Sequence, residues 1–209
     1  MNIIEENIIY KINPEYNKEM VNQIVDIHMK TFEGFFLTFL GKGFLKHLYK
    51  GFLKHNLSGM IVAQYEGKVV AFLAYSENLS GFYKYLIKKS LLPFAWYGMC
   101  AVIRKPIYIV RLLRAFLKPG ESRRAEKYIE LSSIGVDPEY KKHHIGSQLI
   151  SKLKGMFCKK EFEYIKLETD AKDNDIANEF YIKNDFVLAN SYFTYEGRKM
   201  NEYRWKTAN

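Results

Sequence analysis

The stretch Ile134-Gly-Val-Asp-Pro-Glu-Tyr-Lys-Lys-His-His-Ile-Gly-Ser-Gln-Leu149 could hold a phosphate group. It reads as a strand through Ile134, Gly135 and Val136. A polar turn then carries Lys141, Lys142, His143 and His144, and a helix opens at Gly146 between Ile145 and Ser147. The start of a helix leaves about four backbone N–H groups without intrahelical partners and carries roughly half a positive charge. Such an end binds anions with little help from side chains. Here two lysines and two histidines add donors and positive charge at the same place. The pattern predicts a pyrophosphate seat. The alternative for these residues alone is an ordinary strand-to-helix connection with a solvated basic turn.

The elements that must position this turn follow from periodicity. Ile8–Ile12 is predicted as a first strand, Glu19–Phe32 as a helix and Phe44–Leu57 as a second helix. Met60–Tyr65 and Val69–Tyr75 form a hairpin across Glu66-Gly67-Lys68. Tyr128–Val136 is the strand leading into the basic turn, and Gly146–Phe157 is the helix leaving it. Tyr164–Thr169 is a strand, Asp175–Lys183 a short helix, and Phe186–Tyr195 and Asn201–Trp205 are closing strands. The order is β-α-α-β-β, a basic segment, then β-α-β-α-β-β. In a regular strand, Glu130 would share a face with Ser132 and Ile134.

Composition bounds the rest. A chain of 209 residues is long enough to bury a sizeable core as a single domain. A hydrophobic content of 48% and an aromatic content of 16% argue against disorder. Cys100 and Cys158 offer neither a disulfide framework nor a zinc pattern and fit a reducing cytosol. Glu5 and Glu6 stand where a secretory signal would be basic, so a cytoplasmic protein is expected.

The residues resemble a known family. Val136-x-Pro138-x-Tyr140, a basic turn and Ile145-Gly-Ser-x-Leu149 resemble the signature loop of the GNAT superfamily of acetyltransferases. The family pattern is Gln/Arg-x-x-Gly-x-Gly/Ala. Here it runs from Lys141 to Gly146, with His144 in place of the first glycine. Asn174-x-x-Ala177-x-x-Phe180-Tyr181-x-Lys183-x-x-Phe186 resembles the second family signature, with Asp185 in place of the usual glycine. The resemblance implies an α/β (α+β) fold over 1–209: a central mixed β-sheet flanked by helices, with a basic helical insertion at about 78–127.

It also implies acetyl-CoA as co-substrate, no metal, and transfer of an acetyl group to the primary amine of a small acceptor. By that resemblance, Ile134, Gly135, Val136 and the residues from Lys141 to Ser147 contact the coenzyme. Backbone amides near Gly135 and Val136 meet the acetyl carbonyl, and Asn174 binds the pantetheine arm or the phosphate region. Tyr181, two helical turns from Asn174, lies near the sulfur as proton donor. Without the signatures, Tyr181 would read as a core aromatic of an amphipathic helix. Glu130 resembles the catalytic glutamate of the family's histone acetyltransferases and is the leading general base; the other reading is a solvent-facing strand carboxylate. Asp137, His143 and His144 are weaker base candidates.

Net charge is +9, and +8 of it falls between Gly81 and Gly120, which contains no acidic residue. Arg104, Arg111, Arg114 and Lys118 make one helical stripe. The uncharged run Ser90–Ile103 has 14 residues and is too short to span a bilayer. Three readings of 82–118 stand: a peripheral contact with an anionic inner-membrane face, part of a pocket for an anionic substrate such as a nucleotide sugar, or a structural insertion, a homodimer contact being one form of it. Nucleic acid is not indicated, since no reader motif accompanies the charge. The stretch from His28 through Phe32 and Gly34 to Gly41 loosely resembles acetyltransferases of bacterial surface-polysaccharide pathways. An amino sugar, free or nucleotide-linked, is therefore the leading acceptor. A protein or peptide, a polyamine, or a non-catalytic acyl-CoA-binding module at a membrane surface are the alternatives.

Overall fold

A computed structural model describes residues 3–89, 126–157 and 161–206. The Arg104–Lys118 stripe, Cys100 and Cys158 lie outside the described residues. Seven strands form one mixed sheet: β1 (Ile9–Ile12), β2 (Ser58–Tyr65), β3 (Lys68–Ser76), β4 (Tyr128–Val136), β5 (Tyr164–Asp170), β6 (Val187–Phe193) and β7 (Lys199–Lys206), in the order β1-β2-β3-β4-β5-β7-β6. Only β4 and β5 pair in parallel. The helices are α1 (Ile3–Glu6), α2 (Lys18–Thr31), α3 (Phe36–Phe39), α4 (Gly41–Lys54), α5 (79–89), α6 (Ile145–Phe157) and α7 (Asp175–Lys183).

Local chemistry sets the element ends. Asn17 caps α2 by accepting from the Met20 amide at 3.0 Å. The β2–β3 hairpin turns on Glu66 and Gly67, both at positive φ, as a tight two-residue hairpin turn requires. The second predicted helix is shifted toward the N-terminus. It starts at Gly41 and stops at Lys54, where His55 is extended and its imidazole bonds Ser58 instead. Helix α5 opens the helical insertion expected at about 78–127, whose individual helix bounds the sequence did not give. Its Phe82 and Leu86 are buried, and Phe82 stacks on Phe52 with centroids 4.1 Å apart. The first turns of the basic segment thus belong to the core.

Two apolar layers sandwich the sheet. On one face α2, α4 and α5 pack Ile24, Ile27, Phe44, Tyr49 and Phe82 against Phe72 and Ala74. On the other, α6 and α7 pack Leu149, Leu153 and Tyr181 against Leu73, Ile129, Leu131 and Leu167. These are called the α2 face and the α6 face below. Among the described residues no helix is long and apolar enough to cross a membrane.

Candidate active site

The sheet splits at its centre. The β4–β5 ladder holds from Tyr128–Tyr164 to Glu130–Lys166 and ends there. Beyond that rung β4 stays with β3 as far as Val136, while β5 stays with β7 as far as Asp170. The facing edges of β4 and β5 therefore open into a gap. The Asp137 amide donates to Val70 O at 2.8 Å, on the β3 side. Main-chain groups alternate along an antiparallel ladder. Gly135 therefore turns toward β3, while the amides of Ile134 and Val136 turn into the gap, where β5 offers them no ladder partner. A single strand edge holding free amides inside a sheet is a place for an extended ligand arm.

The basic turn lies at the end of that edge. Asp137 caps the turn Pro138–Tyr140 through the Glu139 amide and binds Lys30 Nζ of α2 at 2.8 Å. The pairing with Lys30 makes Asp137 an anchor rather than an available base. Lys142 and His144 both adopt left-handed φ, 67° and 52°. His144 thus takes the conformation the missing glycine would supply. A side chain there costs on the order of 1–3 kcal/mol, partly offset by the roughly 0.5–1 kcal/mol of extra chain entropy that glycine loses on folding. His144→Gly is expected to stabilise by about 1 kcal/mol, a Tm rise readable by calorimetry.

Helix α6 then starts at Ile145, with Gly146 buried against α7. A Cβ at Gly146 would meet Phe180 Cζ at 3.1 Å. In Gly146→Ala the Phe180 ring of α7 must give by a few tenths of an ångström. We expect a loss of about 1–3 kcal/mol in thermal unfolding and weaker acetyl-CoA binding by calorimetry. Gly135 is held by packing on the opposite face. A Cβ there would meet Phe72 Cε1 at 2.9 Å and Ile27 Cγ2 at 3.5 Å. Core packing on the α2 face, not a passing ligand, requires the glycine.

Across the gap, α7 brings up the second group. Asn174 Nδ2 donates to Thr169 Oγ1 near the end of β5 at 2.7 Å. Tyr181 is buried against Phe180, Phe186 and Tyr203. Burial pushes its phenol up to about 12, so it stays protonated. Asp185 takes the left-handed conformation of the usual glycine, with φ 60°, and pairs with Lys154 at 3.0 Å.

Glu130 is not solvent-facing. It is 7% exposed and sits at the last rung, with Lys166 Nζ 3.4 Å away. Lys166 also binds Glu168 at 2.8 Å. Burial raises the Glu130 carboxyl to about 7, against the pull of Lys166. Burial also acts to lower Lys166, but Glu130 and Glu168 outweigh it and hold the ammonium above its ordinary value. The faces differ from those of a regular strand. The β3–β4 register jumps from Ser133–Ala74 to Leu131–Tyr75, leaving Ser132 unpaired. This bulge moves Ile134 to the α6 face and puts Ser133 with Glu130 on the α2 face.

The sequence reading missed Lys166, Glu168 and Tyr192, whose hydroxyl donates to Glu168 Oε2 at 2.6 Å. The alternation Lys166-x-Glu168 marks one strand face, but only the parallel register shows that this face meets Glu130. Among the described residues no three His, Cys, Asp or Glu side chains gather as a metal site would need.

Known proteins supply the family. The family model "Acetyltransferase (GNAT) family" matches residues 21–186. The chain belongs to the GNAT acetyltransferases. No curated protein sequence matches it. Among solved structures, a Desulfovibrio desulfuricans protein described as a GNAT-family acetyltransferase is 12% identical over 96% of this chain and 99% of its own, with TM-score 0.64. An N-acetyltransferase from Staphylococcus aureus is 16% identical over 97% and 99%, with TM-score 0.60. A Bacillus anthracis protein named for streptothricin acetylation, solved with acetyl coenzyme A, is 16% identical over 77% and 68%, with TM-score 0.50. At these identities the likeness is one of fold. The GNAT chain is an acetyl-CoA-dependent N-acetyltransferase by family, and its split sheet, left-handed turn and close-packed α6 start fit that donor.

Proposed function

We propose that this GNAT enzyme acetylates the primary amine of a small, cationic, unphosphorylated acceptor, with an amino sugar first and a polyamine second. The opened edge of β4 carries the reading: free amides at Ile134 and Val136 run directly into the basic turn and the α6 start. When bound, acetyl-CoA supplies an activated acyl group and a thiol leaving group. Lys141, Lys142, His143, His144 and the first amides of α6, from Ile145 to Ser147, hold the pyrophosphate. The Ile134 and Val136 amides hold the arm and polarise the acyl carbonyl. Asn174 orients the arm from the β5 side, and Tyr181 keeps a proton at Oη for the departing sulfur. Glu130 takes the proton that the ammonium form of the acceptor must lose before attack.

The acceptor class rests on charge. Around the last rung, Glu126, Glu130, Glu168 and Glu202 face Lys166 and Arg204. Among the described residues, these four carboxylates against two cations attract an ammonium group and repel a phosphate. This weighs against the nucleotide-linked sugar. The test is thiol release from acetyl-CoA with a panel of free amino sugars, nucleotide-linked amino sugars, polyamines and peptides. Turnover of the free amines is expected to exceed that of the phosphorylated ones. Acetyl-CoA binding without turnover of any amine would overturn the proposal.

A further inference from the structure

One buried polar chain is not used by the reaction as described. His28 of α2 is 3% exposed, and its Nδ1 lies 2.6 Å from Tyr49 Oη of α4. Tyr49 is fully buried, and its Oη lies 3.4 Å from Ser133 Oγ on β4. His28 Nε2 is buried with no hydrogen-bond partner among the described residues. The chain runs outward from the core and ends at Ser133, past the last β4–β5 rung, on the face that carries Glu130. The bulge at Ser132 is what turns Ser133 to that face; without it, Ser133 would point toward α6.

The orphaned nitrogen fixes the direction of the chain. Burial lowers the His28 imidazole to about 4, so at neutral pH it is neutral and has a single N–H. With that proton on Nε2, a donor would be buried without a partner. With it on Nδ1, His28 donates to Tyr49 and only a lone pair is left over. Buried donors without partners are the rarer case. Nδ1–H therefore donates to Tyr49, and Tyr49 donates to Ser133. Ser133 spends one lone pair on Tyr49, leaving its other lone pair and its O–H for the gap.

We propose that the Ser133 hydroxyl holds the acceptor's amino group beside the open edge of β4, and that Tyr49 and His28 are positioning residues that act only by turning that hydroxyl. The inference rests on the reading of the gap as the acyl-transfer site. Once Glu130 has taken the ammonium proton, the neutral amine donates an N–H to the free lone pair of Ser133, which leaves the nitrogen lone pair for the acyl carbon. The chain is not a proton path. A histidine that binds protons only near pH 4 cannot accept one at neutral pH, and burial raises the Tyr49 phenol well above its usual range.

The variants are Tyr49→Phe, which keeps the ring and removes the hydroxyl, Ser133→Ala, Ser133→Thr and the Tyr49→Phe/Ser133→Ala double. Steady-state kinetics with the best amine of the panel is read beside acetyl-CoA affinity by calorimetry. Tyr49→Phe and Ser133→Ala are each expected to lower kcat/KM for the amine by about five- to tenfold. Acetyl-CoA Kd should stay within about twofold, as expected if the hydroxyl touches only the acceptor. The double variant should be no worse than Ser133→Ala, and Ser133→Thr should restore activity. Full activity of Tyr49→Phe, additive losses in the double variant, or an equal loss of acetyl-CoA affinity would overturn the inference while leaving the acetyltransferase reading intact. A wild-type protein that binds acetyl-CoA but turns over no amine overturns both.

Discussion

Glu130→Gln is expected to lower kcat by about 10²- to 10⁴-fold, the usual contribution of a positioned base. The glutamine keeps the shape and a hydrogen-bonding oxygen for Lys166, so loss of rate is not loss of fold. The pH profile gives the second readout. Burial places the Glu130 carboxyl near 7, so kcat/KM of the wild type should rise with pH through about 7 and then level off. In the variant that inflection disappears. Stability supplies a third check with a definite sign. An unfolded glutamate titrates near 4.3, and the folded one titrates higher. The neutral form is therefore the one folding favours. Its contribution is complete below about pH 4 and is lost as pH rises through about 7. The Tm of the wild type should therefore fall relative to Glu130→Gln across that window. A variant with wild-type kcat and an unchanged inflection would remove Glu130 as the base.

Much of this site was legible because its chemistry is local in sequence. The strand Tyr128–Val136 and the helix Asp175–Lys183 match the structure end to end, since alternation and helical spacing operate over neighbouring residues. The basic turn was legible too, and His144 does what the missing glycine would have done. What stayed hidden depends on pairings across the chain. The bulge at Ser132 reverses the faces of β4 beyond it, and nothing in Ser132-Ser133 announces it. The partnership of Glu130 with Lys166 exists only through the parallel register of two strands 36 positions apart. The contact of His28 with Tyr49 joins two helices through the core. The helical insertion was expected, but the anchoring of α5 on α4 through Phe82 and Leu86 was hidden beneath the positive charge of the segment.

Tyr181→Phe is the second variant expected to have a large effect, about 10² or more in kcat, and the structure separates its effect from packing. The Tyr181 ring is held by Phe180, Phe186 and Tyr203, contacts a phenylalanine keeps. The hydroxyl makes no hydrogen bond among the described residues, so removing it breaks none. A hydroxyl left open in this way adds little to stability, and the variant should melt within about 0.5 kcal/mol of wild type. Acetyl-CoA affinity should hold, because the proposed pyrophosphate seat and strand edge are untouched. The burden then falls on the leaving sulfur, which departs as an unprotonated thiolate. A leaving thiol of lower pKa in the acyl donor should therefore narrow the gap between variant and wild type, since a better leaving group needs the proton less. Equal sensitivity of both proteins to the leaving thiol, or an unchanged kcat, would reduce Tyr181 to a core aromatic of α7.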